Sequence, residues 1–139
     1  MARTLDMQFM RYLNLFSKVT KVKIQHCFSY NNGVIFVVPV EKVSRTIGEN
    51  GKNVKRLSEI LGKKVKIISA PNGKQDIEKF IAAIVHPVKY KGIDINEDKV
   101  AISAGIQSKA ALIGRDKRRL NEMKNILEEY FGIKELKII

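Results

Sequence analysis

The 139-residue sequence predicts an α+β fold made of two small tandem units, each ordered helix, strand, strand, helix, glycine loop, helix, strand around a three-stranded sheet. Two observations predict it. Apolar residues switch between helical and strand spacing in a fixed order, and that order occurs twice. The length agrees, because it suits one ordinary domain or two very small ones.

The repeat is visible in the letters. Residues 34–68 and 100–139 align at an offset of 66, which sets Val34 on Val100 and Ile47-Gly48 on Ile113-Gly114. Five further residues of insertion bring Val65-Lys66-Ile67-Ile68 onto Leu136-Lys137-Ile138-Ile139.

In the first unit, Leu5, Phe9, Leu13 and Phe16 recur at steps of three and four, with Thr4 as N-cap and Asp6 in the first turn. This spacing predicts an amphipathic helix over 4–16. Val22, Ile24, His26 and Phe28 alternate with Lys23, Gln25 and Cys27, the period of a half-buried strand. Asn32-Gly33 supplies a hairpin turn into a second strand, Val34 to Val38, which Pro39 ends. Val43 and Ile47 mark a short helix interrupted at Gly48. A longer helix from Lys52 carries Val54, Leu57 and Leu61, stops at Gly62 and leads into a strand from Val65 to Ile68.

After Pro71-Asn72-Gly73 the elements recur, so the expected domains are 1–70 and 71–139. Ile77, Phe80, Ile81 and Ile84 form a helix stripe that ends at His86-Pro87. Strands are expected at Val88 to Ile95 and Lys99 to Ser103, and a short helix through Ile106, Ala110 and Ile113. A long helix with Leu120, Met123, Leu127 and Tyr130 follows, then Gly132 and a strand from Lys134 to Ile139.

Composition narrows the chemistry. Lys and Arg number 26 against 14 acids, a net charge of +12, and such a field attracts polyanions. The lone Cys27 permits neither an internal disulfide nor a thiol cluster for zinc. No metal or cofactor is expected. The opening MARTLDMQF lacks a secretory pattern, and no apolar run approaches the ~18 residues of a membrane helix, so a cytoplasmic location without membrane contact is expected. His26 and Cys27 are strand neighbours pointing to opposite faces, so they cannot act as a base and its nucleophile. The expectation is a core-side histidine beside an incidental cysteine.

The functional expectation rests on the Gly48-Glu49-Asn50-Gly51 loop between two helices. Unpaired N–H groups and the helix dipole at the start of the second helix favour an anion there, and glycine lets a sugar-phosphate backbone come close. Residues 42–56 hold five cations, Lys42, Arg45, Lys52, Lys55 and Arg56, against Glu49 alone. Residues 109–119 hold Lys109, Arg115, Lys117, Arg118 and Arg119 against Asp116. The phosphate-loop template of nucleotide hydrolases fails, because Thr46 and Asn53 stand where it needs glycine and a hydroxyl residue. We expect neither an enzyme nor a small-molecule substrate.

Ile47-Gly48-Glu49-Asn50-Gly51-Lys52 with Val54, and Ile113-Gly114-Arg115-Asp116-Lys117, set in the repeated order of elements, resemble the KH family of prokaryotic topology. The resemblance implies a clamp on the backbone of about four nucleotides of single-stranded RNA per unit. The residues it assigns to RNA in the first unit are Arg45, Ile47, Gly48, Glu49, Asn50, Gly51, Lys52, Val54, Lys55 and Arg56. In the second they are Lys109, Ile113, Gly114, Arg115, Asp116, Lys117, Arg118 and Arg119. Ile47, Val54 and Ile68 are the residues that position in the family suggests for a base groove. Two units joined by a short linker resemble a family of archaeal transcription termination and antitermination factors. This implies transcription regulation on nascent RNA, a continuous RNA track over both units, and contact with RNA polymerase. A scaffold for an acidic protein partner is the alternative. In the second loop Lys117 stands where the family has its closing glycine, and the expectation there is contact mainly through side-chain charge.

Overall fold

The structure is a computed structural model that describes residues 7–24 and 26–139. The chain divides into two compact units, with the boundary between Ala70 and Pro71. Each is α+β with one three-stranded sheet.

In the first unit, helix α1 spans Met7–Thr20. The predicted Thr4 cap, Leu5 and Asp6 lie outside the described residues. The buried stripe is Tyr12, Phe16 and Thr20, with Phe9 and Leu13 partly buried beside it. The helix therefore runs one turn past the predicted end at residue 16. Thr20 closes it: its buried Oγ1 donates to Phe16 O at 2.8 Å and accepts from Val22 N–H at 3.1 Å, tying the chain that leaves the helix back to its last turn.

Strands β1 (His26–Tyr30) and β2 (Gly33–Val38) pair antiparallel, and β3 (Val65–Ser69) adds parallel to β2, giving the order β1-β2-β3. The hairpin turn is Asn31-Asn32, one residue earlier than predicted, with φ of 52° and 61°. Asparagine accepts that left-handed conformation unusually well. Gly33 is instead the first strand residue. A Cβ there would meet Lys64 O at 2.8 Å, the carbonyl that accepts from Val34 N–H, so β3's approach demands the glycine.

The predicted strand from Val22 begins at His26 and is covered on both faces: Val22 and Phe28 are buried as expected, and Cys27 is buried too. Cys27 is fully buried with Phe16, Val34, Phe36, Val38 and Leu57, while the His26 ring lies parallel to Phe28 on the other side. Phe16 stacks on Phe36 at 4.5 Å. Truncating either ring to alanine should cost about 3–5 kcal/mol. All six β2 residues are buried, so this strand is apolar on both faces.

Helix α2 (Val43–Ile47), entered through a 3₁₀ turn at Val40–Lys42, precedes helix α3 (Lys52–Leu61). Leu57 inserts into the core and Gly62 ends α3 with φ 65°, as its sequence position suggests.

The second unit comprises α4 (Ile77–Val85), β4 (Gly92–Asn96), β5 (Lys99–Ser103), α5 (Ile106–Ile113), α6 (Arg118–Phe131) and β6 (Glu135–Ile138). Its sheet order β4-β5-β6, antiparallel then parallel, repeats the first. Residues 88–91 do not form the predicted strand, because ladder pairing starts at Gly92 opposite Ser103. The last strand likewise runs 135–138 rather than 134–139. Most of the repeat's insertion lies in α6, which has 14 residues against 10 in α3. Ile106 is 90% exposed, so α5 is anchored by Leu112 rather than by the predicted Ile106, Ala110 and Ile113 stripe.

The second sheet differs in its outer face. Val100, Ile102 and Leu136 are buried, whereas Lys99, Glu135 and Lys137 alternate with them and form exposed ion pairs of 3.7 and 3.4 Å through Glu135. On the inner side Phe80 of α4 meets Tyr130 and Phe131 of α6 at 5.1 and 5.5 Å. These are KH domains in tandem, each ordered helix, strand, strand, helix, glycine loop, helix, strand.

Candidate nucleic-acid interface

In both units the glycine loop joins the two helices that lie between the parallel strands. The first loop leaves α2 at Gly48 (φ 83°, ψ 167°), passes Asn50 (56°, 26°) and enters α3 from Gly51 (72°, 21°). The second leaves α5 at Gly114 (75°, 174°), passes Asp116 (55°, 30°) and enters α6 from Lys117 (60°, 25°). The two backbones have nearly the same conformation despite the missing closing glycine. The second loop thus holds two consecutive non-glycine residues in the left-handed region, at roughly 1–2 kcal/mol each before local compensation, with aspartate among the more tolerant types.

The two glycines of the first loop have different reasons. A Cβ on Gly48 would press on Asn53 Nδ2 at 3.0 Å, and one on Gly114 on Arg119 Cγ at 2.9 Å and Arg119 N at 3.1 Å. The first glycine therefore clears room for a residue of the following helix. A Cβ on Gly51 would meet nothing within 4 Å.

The residues behind the first glycine share a hydrogen-bonding contact that sequence reasoning assigned to neither Asn53 nor Arg119. Asn53 Nδ2 donates to Thr46 O at 3.1 Å and reaches Arg45 O at 3.5 Å, while Arg119 Nη1 donates to Ala111 O at 2.9 Å. Arg45 and Ala111 are equivalent positions of the repeat. Both contacts cap carbonyls at the C-terminal end of the preceding helix. The offset alignment would have revealed the pairing of Asn53 with Arg119, but not its purpose.

Hydrogen bonding narrows the expected set of free donors. Gly51 N–H donates to Gly48 O at 3.1 Å and Lys52 N–H to Glu49 O, so a 3₁₀ turn takes up two N–H groups that the sequence suggested for phosphate. The same bonds recur from Lys117 to Gly114, at 3.2 Å, and from Arg118 to Arg115.

The predicted side chains mostly lie at the surface. Arg45, Glu49, Asn50, Lys52, Lys55 and Arg56 are exposed in the first unit, and Lys109, Arg115, Asp116, Lys117 and Arg118 in the second. Arg119 is only half-exposed. Ile47, Val54 and Ile113 are half-buried beside the glycines, whereas Ile68 is 6% exposed and belongs to the packed interior. Thr46, fully buried, donates from Oγ1 to Lys42 O at 2.7 Å and ties the α2 turn together. An open cavity of about 370 Å³ lies along the second loop, lined by Arg115, Asp116, Arg118, Asn121, Glu122 and Asn125. Asn121, Glu122 and Asn125 were missed by the sequence reading, although their spacing from Arg118 places them on one face of α6.

Among the described residues no helix is long and apolar enough to cross a membrane, and no group of three or more His, Cys, Asp or Glu is placed to hold a metal ion.

No protein-family model matches the chain. It is similar to curated proteins described as probable transcription termination protein NusA. That of Methanocaldococcus jannaschii is 30% identical over 131 residues, 91% of this chain and 70% of the relative. That of Methanococcus vannielii is 24% identical over 91% of this chain and 74% of the relative, and that of Thermoplasma acidophilum 18% over 97% and 94%. A solved structure titled "Crystal structure of APE1850" matches with a TM-score of 0.65 and 25% identity, covering 97% of this chain and all of the other. With both KH units inside these alignments, and one relative at 30% identity over most of its own length, the chain belongs to the NusA family.

Proposed function

We propose that this protein binds single-stranded RNA through both glycine loops, as a transcription termination or antitermination factor acting on nascent RNA and not as an enzyme. Residues 1–70 and 71–139 are its two RNA-binding domains. The observation that carries the reading is the first loop: a left-handed Gly51 whose Cβ position is open, flanked in sequence by exposed Arg45, Lys52, Lys55 and Arg56. Such a surface lets a phosphodiester approach the backbone while cations neutralise it. Ile47 and Val54 supply apolar contact beside the clamp, and Asn50 keeps the turn left-handed. Glu49 weakens phosphate binding modestly. In the second unit Lys109, Arg115, Lys117 and Arg118 act by charge around Gly114, with Ile113 in the place of Ile47. The names of the relatives support a role in transcription, and RNA polymerase is the protein partner this role brings with it.

The test is fluorescence anisotropy with labelled single-stranded RNA against single-stranded DNA, duplex RNA and duplex DNA. Asn50→Asp with Lys52→Glu is the loop variant, because aspartate tolerates the left-handed region and the fold is kept. We expect single-stranded RNA to bind best, and the variant to lose at least about tenfold through two adverse charge changes. Equal binding of all four polymers, or a variant that binds like the parent, would transfer the basic surface to an acidic protein partner.

A further inference from the structure

We propose that Asn53 and Arg119 are positioning residues that hold the two glycine loops in their binding conformation, and that Arg119, despite its charge, does not contact RNA phosphate. The proposal rests on the RNA-binding reading above and assigns a different role to one of the second unit's five clustered cations.

Three observations converge on it. The two side chains occupy equivalent positions, five residues after Gly48 and Gly114, and both reach back across the loop to the last turn of the preceding helix, Asn53 donating to Thr46 O at 3.1 Å with Arg45 O at 3.5 Å, and Arg119 donating to Ala111 O at 2.9 Å. The first glycine of each loop is where a Cβ would collide with that same side chain, at 3.0 Å from Asn53 Nδ2 and 2.9 Å from Arg119 Cγ. Glycine and the crossing side chain thus form one device, in which the missing Cβ leaves the passage the tether uses. Finally, Arg119 is half-buried while Arg115, Lys117 and Arg118 beside it are exposed.

The residue types follow from what each loop must overcome. The first loop has glycine at Gly48 and Gly51 and places one non-glycine residue, Asn50, in the left-handed region, so a neutral carboxamide suffices to tie it. The second places Asp116 and Lys117 there in succession. Arginine supplies the stronger tether, because its guanidinium makes a charge-assisted hydrogen bond and sits at the negative end of the α5 dipole. A cation engaged on a carbonyl in this way has fewer donors left for phosphate.

The experiment compares Arg119→Ala, Arg119→Asn and Arg118→Ala in the full chain. Binding of labelled single-stranded RNA is titrated over a range of salt, and hydrogen exchange of the loop amides is followed without RNA. For Arg119→Ala we expect affinity to fall about tenfold through loss of a charge-assisted bond, with the salt slope unchanged. Arg118→Ala should instead lower the slope by about 0.7, the value for one phosphate on a single strand. Arg119→Asn, which installs the first loop's tether, should recover most of the affinity although the charge is gone. Exchange at the Lys117 amide, which donates to Gly114 O, should accelerate by about tenfold in Arg119→Ala and stay near the parent in Arg118→Ala. A slope that falls equally in both alanine variants, with no recovery by asparagine, would overturn the proposal and make Arg119 a phosphate ligand. If the parent binds no single-stranded RNA, the function proposed above fails, and the exchange arm alone then decides the positioning role: unchanged exchange in Arg119→Ala would overturn it.

Discussion

The loops at 48–51 and 114–117 trace nearly the same backbone, yet one closes with glycine and the other with Lys117. The difference separates two demands that a single Gly-x-x-Gly loop merges. The opening glycine serves the protein: at φ 83° or 75° with ψ near 170° it occupies a region essentially reserved for glycine, and it leaves room for Asn53 or Arg119. The closing glycine is not demanded by packing, since a Cβ on Gly51 would meet nothing within 4 Å and a lysine adopts the same conformation at Lys117. The second unit has kept the glycine that its own fold requires and carries a cation where the first unit has its closing glycine.

The largest effect should come from breaking the demand the loops share. Gly48→Ala and Gly114→Ala should each destabilise by about 3 kcal/mol, from backbone strain and the forced shift of a neighbour. Gly114→Ala should be the worse, because its new Cβ would press on the backbone N of Arg119 and not only on side chains. Urea denaturation midpoints check the order.

Exchanging the closing residues should have a smaller effect on stability and a specific one on binding. Gly51→Lys should cost about 1 kcal/mol for a left-handed non-glycine residue and about tenfold in RNA affinity as the approach is obstructed. Lys117→Gly should return a similar stability while lowering the salt slope by about 0.7. If Gly51→Lys binds RNA as well as the parent, the assignment of the closing glycine to the ligand is wrong.

The smallest effect concerns pH and lies away from the loops. Burial, aided by the Glu129 carboxylate, raises the Tyr130 phenol above its ordinary value of 10.0. The folded state therefore retains the phenolic proton more strongly than the unfolded chain. The associated stability is present below pH 10 and is lost as pH rises through the folded value. Tyr130→Phe should show a smaller decline in melting temperature than the parent across this alkaline range.

The sequence made the order of elements legible because each boundary carries local chemistry: Pro39 after β2, Gly62 after α3 and Gly132 after α6. It was less informative where a distant neighbour decides. Gly33 reads as a turn residue, but its neighbour is Lys64 O, brought close by the parallel strand. Cys27 reads as the outward partner of an alternating strand, but the ladder begins at His26 and places it in the core. Residues 88–90 alternate like a strand but lie before the ladder, which Lys91 reaches only through its N–H to Ser103 O. Of the candidate site, the glycines and exposed cations were legible from composition and spacing. The purpose of Asn53 and Arg119 was not, because a side chain that crosses a loop to reach a carbonyl leaves no periodic signal.

The parallel pairing of β2 with β3 sets a schedule for folding. The β1–β2 hairpin closes locally over two turn residues, on a timescale of about 1–10 μs. β3 reaches β2 only after residues 39–64, which include the glycine loop, have been gathered into a crossover. Loop-closure entropy delays such non-local contacts. The anchored ends that fix the loop therefore arrive among the last native contacts, and the loop takes its final shape with completion of the unit rather than before it. Pulse-labelling during refolding should protect the hairpin amides of Phe28 and Ile35 ahead of Ile68, whose N–H faces β2, and a protein caught midway would present its hairpin while its glycine loop was still unfixed.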